Sequence, residues 1–332
     1  MKNKMNWMKK TRWITVLSLV VLMTMLLAGC GNSSGEATDI RVGSLKGPTT
    51  MGLVNLMKES EQGTTRNSYT FDMQTDPTVI VGKMVSGELD IACVPANVAA
   101  VLSKKVEGGV TVLDINTLGV LYFVSGDETI QTIEDLAGKT VVLTGKGTTP
   151  DFALQTLLGA HGLTLDDVTV EYKTEATEVA AYLVGEPMAV GFLPQPFATA
   201  ALLQNSELVT CMSADEEWAK VMDSRLVTGV TVVRNTFLEE HEAAVKGFLE
   251  NQKASVEKVS EDLTGTAALI VEYGIIEKEP VAMKAIPNCN ITYMDGEAMK
   301  TALIGYYETL YALDPTSIGG SIPEDSFYYP GL

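Results

Sequence analysis

Histidine is nearly missing from the 332 residues. His161 and His241 are the only two, so a metal centre built on imidazole nitrogen is all but excluded. Cysteine is scarce as well, at four. Cys93 and Cys211 fall in apolar, strand-like runs where a buried free thiol is expected, and no disulfide framework is implied. Basic residues are in deficit, 24 Lys and Arg against 42 Asp and Glu, and a formal charge of −18 repels phosphate backbones, which argues against nucleic-acid partners. Long apolar runs are absent too: the longest, Ile14 to Leu27, is well short of the ~20 residues that cross a bilayer as a helix. What remains is 46% hydrophobic and 20% charged, the composition of a folded protein of about two domains.

The N-terminus reads as an address. Lys2, Lys4, Lys9, Lys10 and Arg12 stand without an acid before the apolar run, which ends in Leu27-Ala28-Gly29-Cys30. This resembles a bacterial lipobox. The resemblance implies a signal peptide over 1–29, acyl chains on Cys30 after cleavage, and a protein held outside the cytoplasm by that anchor. Residues 30–332 then carry 19 bases against 42 acids, a net charge of −23. Residues 30–38 are small and polar, as a tether should be. Their Gly31-Asn32-Ser33-Ser34-Gly35 spells a nucleophile elbow by accident, since that motif needs a strand before it and a helix after it.

From Ile40 onward, short strand-like runs alternate with helical spacing. Ile40 to Ser44, Tyr69 to Met73 and Leu89 to Val94 read as strands, each followed by a helix. A second series has strands at Lys139 to Leu143, Val168 to Tyr172, Met188 to Leu193 and Leu208 to Met212, again with helices between. Alternation of this kind predicts two mainly parallel sheets flanked by helices, an α/β fold of two lobes. The first lobe is expected over 39–138 and the second over 139–212. Residues 213–332, mostly helical after the strand Leu226 to Arg234, should return to the first lobe. Leu118 to Val124 and Leu226 to Val233 would be the crossovers that form a hinge. In such sheets ligands sit beyond the carboxyl ends of the strands, so two lobes facing each other make a cleft.

Two loops at those strand ends share a pattern: Lys46-Gly47-Pro48-Thr49-Thr50 and Lys146-Gly147-Thr148-Thr149-Pro150. Each is a base, a glycine and hydroxyls at a helix start, the makings of an anion site gripped from both lobes. The plainer reading is turns and caps with both lysines in water, and carboxylates at helix starts, Asp76 and Asp151, would oppose an anion or hold an ammonium group. Gly145-x-Gly147 lacks the third glycine of a dinucleotide fingerprint, because Pro150 takes its place. Phe192-Leu193-Pro194-Gln195-Pro196-Phe197 could stack a flat ligand through Phe192, or simply fill the core. Asn97, after Pro95-Ala96, can donate and accept, and serves equally as a helix cap.

Taken together, these residues are similar to the solute-binding lipoproteins of ABC importers, in the group of nitrate, sulfonate, taurine and thiamine-precursor binders. The likeness extends over Ser86-Gly87-Glu88-Leu89-Asp90-Ile91-Ala92, Val94-Pro95-Ala96-Asn97, Ala285-Ile286-Pro287-Asn288-Cys289-Asn290-Ile291 and Phe327-Tyr328-Tyr329. It implies a type II periplasmic-binding-protein fold, no catalysis and no cofactor. It further implies a monomer that delivers a small, anionic or strongly hydrogen-bonding molecule to a permease driven by a separate ATPase. By the resemblance, contacts come from Thr49, Thr50, Asn97, Thr148, Thr149 and Gln195, with Thr117 and Tyr122 near the crossover. Gln195 stands where similar chains usually carry Glu, which removes a carboxylate from the site. Two other readings fit the same chain: a sensor that reports ligand to a membrane kinase, and an enzyme of the thiamine-precursor or menaquinone-pathway type on this architecture.

Overall fold

Parallel strands need a crossover connection, and the first third of the chain supplies three in succession. In the computed structural model, which describes residues 37–332, β1 (Asp39–Leu45) leads through α1 (Pro48–Met51) and α2 (Val54–Glu61) to β2 (Ser68–Gln74). Next come α3 (Pro77–Ser86), β3 (Ile91–Pro95), α4 (Ala96–Lys105) and β4 (Val110–Leu118). The ends of α3 show why the sequence stops and starts where it does. The Asp76 carboxylate accepts the Thr78 N–H at 2.8 Å, Pro77 opens the helix, and Gly87 closes it at φ 77°. The expected signal peptide, the lipid site at Cys30 and most of the tether lie outside the described residues.

The chain then crosses to a second sheet: β5 (Leu121–Ser125), β6 (Thr140–Thr144), α5 (Thr149–Ala160), β7 (Thr169–Lys173), α6 (Ala176–Gly185), β8 (Val190–Pro194), α7 (Phe197–Gln204), β9 (Val209–Ser213) and α8 (Ala214–Val221). It returns as β10 (Val227–Arg234), α9 (Asn235–Glu261), α10 (Leu263–Glu272), α11 (Glu279–Ala285), β11 (Ile291–Met294) and α12 (Gly296–Leu313). The first sheet is ordered β2-β1-β3-β10-β4-β11 and the second β7-β6-β8-β5-β9. The parallel pairing read from the alternation holds for β1 with β2 and β3, and for β6 with β7 and β8. The pairs made by β5 and β10 are antiparallel, because these strands enter their sheets from the opposite lobe, and β11 pairs antiparallel with β4 at the sheet edge.

One boundary moves. The first lobe is expected over 39–138 with a crossover at Leu118 to Val124, but β5 pairs with β8 and β9 in the second sheet. The turn after it belongs there too: Lys139 reaches Asp127 at 2.6 Å, and Gly126 N–H donates to Pro187 O at 2.7 Å. The second lobe therefore starts at β5 and runs through α8. Two short links join the lobes, Gly119-Val120 and residues 222–226.

Residues 38–332 form one compact unit. One apolar cluster fills the side of the first sheet against α9 and α10, and a second lies between β8, α6 and α7. A third is continuous across the hinge. It runs from Val94 and Ala99 through Tyr306, Tyr307 and Trp218 to Phe123, Phe152 and Phe192. Helix α12 thus acts as a spine beneath both lobes, and any gap between them opens on the face away from it.

Candidate functional site

Strand direction alone decides which edges meet. Only two residues separate the end of β4 from the start of β5, so those ends lie side by side at the hinge. Gly229 of β10 pairs with both Pro95 and Thr117, which puts the end of β3 level with the end of β4. In the second sheet Leu121 pairs with Pro194, bringing the end of β8 to the same place. The carboxyl ends of β1 and β3 therefore face those of β6 and β8 across the hinge, where the loops Lys46–Thr50, Ala96–Asn97, Lys146–Thr149 and Gln195 begin.

On the first lobe, Thr49 and Thr50 turn their hydroxyls inward. Thr49 Oγ1 donates to Leu45 O at 3.0 Å, and Thr50 Oγ1 bonds both Ser44 Oγ and Leu45 O. They build the turn. Thr49 still reaches the floor through its methyl, for a Cβ placed on Gly229 would meet Thr49 Cγ2 at 2.7 Å and Asn116 Oδ1 at 2.6 Å. Thr117, fully buried, donates to Asn116 Oδ1 at 2.9 Å. Asn97 is different: it is 6% exposed, and its sealed Oδ1 has no partner.

On the second lobe, Thr148 is exposed and its hydroxyl closes the turn onto Gly145 O at 2.5 Å, whereas Thr149 is buried with its hydroxyl unpaired. The neighbour of Thr149 is Tyr306 of α12, also sealed and without a hydrogen bond of proper geometry. Burial pushes the Tyr306 phenol up, so it stays neutral. Tyr307 beside it donates to Ala96 O at 2.9 Å, tying α12 to the loop that carries Asn97. Sequence reasoning did not find Tyr306. The only signal was a pair of tyrosines on a helix otherwise spaced for burial.

Lys46 and Lys146 stand at the surface of their loops. Both are exposed and make no ion pair among the described residues, and Lys146 Nζ lies 5.5 Å from the centre of the Tyr172 ring. The start of α5 is already occupied by its own acid. Asp151 Oδ2 accepts the Gly147 N–H at 2.7 Å, while Oδ1 accepts from Tyr172 and Gln155. Close to the first link, burial raises the Asp215 carboxyl against the opposing pull of Arg225. The hinge side of the junction is therefore neutral to acidic.

Two further expectations are relocated. Phe192 is fully buried and stacked on Phe123 at 4.3 Å between ring centres, in the core rather than the junction, because alternation along β8 points it inward. Tyr122 spans the lobes instead of waiting for a ligand. Its hydroxyl donates to Asn288 O at 2.9 Å, and burial pushes its phenol up to about 12. Asn290, at φ 43°, bonds Gly119 O from the same loop, so the segment before β11 straps the hinge. Gln195 is 4% exposed and its N–H donates to Val120 O at 2.9 Å, which fixes it at the link itself. Asn97 Oδ1, Thr149 Oγ1 and the Tyr306 hydroxyl are thus sealed without a partner, while Gln195 is bonded through its side-chain oxygen to Thr199.

The NMT1/THI5-like family model matches residues 74–262, more than half of the chain. No curated protein sequence matches it. Among solved structures, an ABC transporter protein from Parabacteroides distasonis has a TM-score of 0.73 at 22% identity, covering 88% of this chain and 99% of that one. The periplasmic aliphatic sulphonate binding protein of Escherichia coli has a TM-score of 0.69 at 16% identity, covering 89% and 93%. The periplasmic nitrate-binding protein of Synechocystis PCC 6803 has a TM-score of 0.60 at 14% identity, covering 88% and 84%. At these identities the likeness is one of fold: two sheets flanked by helices in the type II periplasmic-binding-protein arrangement.

Proposed function

The chain belongs to the NMT1/THI5-like family, and from that membership and the geometry of its junction we propose that it is the extracytoplasmic solute-binding component of an ABC importer. A small hydrogen-bonding molecule is held between the lobes and passed to a permease whose ATPase supplies the energy. The observation that carries this reading is the convergence of two sets of strand ends on one hinge, with uncommitted polar groups supplied from both lobes. The fold neighbours that bind sulphonate and nitrate support it. The protein binds rather than transforms its solute: amides and hydroxyls, the groups that converge, do not titrate near neutral pH and so make poor general acids or bases. It works as a monomer, held to the membrane by acyl chains on Cys30.

Mechanically, Asn97, Thr149 and Gln195 are each less than a tenth exposed, so a solute reaches them only when the lobes part. Rotation at Gly119-Val120 and at residues 222–226 would open the junction while α12 holds its far side. Solute contacts made only in the closed form then shift the population toward closure.

Residues 30–332 contain one tryptophan, Trp218, buried beside the second link. Its Nε1 donates to Ser224 Oγ at 3.3 Å and its ring lies 6.0 Å from that of Tyr306. A thermal-shift screen and Trp218 fluorescence titration against nitrate, ethanesulfonate, acetate and 4-amino-5-hydroxymethyl-2-methylpyrimidine test the reading. A bound solute at a hundred times its Kd raises the melting temperature by about 4 °C and changes Trp218 emission. A protein that responds to no solute in either measurement is not a solute-binding component.

A further inference from the structure

Gln195 offers an amide whose orientation the protein fixes. Its Oε1 accepts the Thr199 backbone N–H at 3.3 Å and the Thr199 hydroxyl at 2.8 Å. A backbone N–H can only donate, so the amide oxygen must face Thr199 and the nitrogen must face the other way. Nε2 has no partner among the described residues. Unlike Asn97 Oδ1 or Thr149 Oγ1, it is not one of the atoms sealed from solvent. In a side chain 4% exposed, on a residue whose backbone N–H anchors it to Val120 at the link between the lobes, the unpartnered atom is therefore the amide nitrogen.

We infer that Gln195 is the specificity-determining residue of the second lobe, and that it donates a hydrogen bond to an acceptor on the solute. The acceptor is a carbonyl oxygen, a ring nitrogen or an oxyanion oxygen. Resting on the solute-binding reading above, this narrows it. A bare cation or an ammonium group finds no acceptor in this amide nitrogen. An acceptor-bearing molecule gains a pre-oriented donor at no further cost in side-chain order, because Thr199 already holds the amide. Thr199 is accordingly a positioning residue. Selection does not need a charged partner, which accords with the exposure of Lys46 and Lys146 and the occupied start of α5.

The test is Gln195→Glu beside Gln195→Met, each checked for native circular dichroism and titrated with the four probes of the screen and with choline. A carboxylate at this position keeps one oxygen on Thr199 and turns the other, charged and donorless, toward the solute. Binding of acceptor probes should weaken about 10- to 100-fold at pH 7.5. It should recover as the pH falls toward about 4.5, where the introduced carboxyl takes up a proton and becomes a donor again. Gln195→Met should weaken binding at both pH values with no recovery. A structural role would not produce that contrast. Unchanged affinity in Gln195→Glu at pH 7.5, or a wild-type protein that prefers choline, overturns the inference and leaves the binding reading standing. A wild-type protein that responds to no probe removes both.

Discussion

Gly229 is the residue on which the floor of the junction depends. It pairs with Pro95 on one side and Thr117 on the other, and the space where its side chain would stand is already taken by Asn116 Oδ1 and Thr49 Cγ2. The constraint is steric and does not come from backbone angle, since Gly229 is not among the glycines with positive φ. Gly229→Ala should cost about 1–3 kcal/mol, read from urea unfolding, and should weaken solute binding by displacing Thr49 and Asn116. A variant with wild-type unfolding and affinity would show that the floor has room to give. Position also explains which residues of the junction could be read from the sequence. Thr49, Asn97, Thr149 and Gln195 each stand just beyond a strand, where the fold class places ligands. Thr199 and Tyr306 act through contacts at a distance along the chain or within a helix, and no local pattern announces them.

At the scale of elements, the paired loops that looked most like an anion grip are turn builders. Helix α1 spans only Pro48–Met51, the Thr49 and Thr50 hydroxyls fold back on Ser44 and Leu45, and Asp151 supplies α5 with its own negative charge. Replacing both lysines, Lys46→Ala with Lys146→Ala, should therefore leave solute affinity within about twofold, the size expected for exposed charges screened by salt. Calorimetric titration at low and at physiological ionic strength would check it, and a tenfold loss at both would restore the grip. Most strands flanked by helices were legible because they end at a glycine, a proline or a capping acid. The nine-residue strand β4 was read only at its last residue, for a physical reason. All nine of its side chains are buried, so it shows no alternation, and Asp114-Ile115-Asn116-Thr117 reads as a polar turn unless the partners of those groups are known.

Those partners govern how the whole molecule responds to pH, through two buried acids of opposite tendency. Asp90 loses solvation on burial, but Arg41 and Arg234 bond it from two sides and hold its carboxyl below the usual range. Its stabilisation is present above the unfolded-state value of about 3.9 and is lost as pH falls through the lower folded value. Asp114, in the middle of β4, makes no ion pair among the described residues. Burial drives its carboxyl well above the ordinary value, and nearby Asp295 adds to the rise. The hydrogen bonds from Thr231 (3.1 Å) and Gln252 (3.2 Å) oppose it without prevailing. Asp114 Oδ2 and Gln252 Oε1 are both sealed and unpaired, which suits a carboxyl that keeps its proton. The sign then reverses. Asp114 favours the folded state fully below about pH 3.9, and from there upward the unfolded chain releases a proton that the native chain retains. Stability falls by about 1.4 kcal/mol per pH unit until the folded value is passed. Asp114→Asn keeps the shape and removes the titration. The difference in unfolding free energy between this variant and the wild type should therefore move in the variant's favour as pH rises from 5 to 8. Urea unfolding at each pH measures it, and two curves that stay parallel across that range would mean that Asp114 is ionised in the native protein.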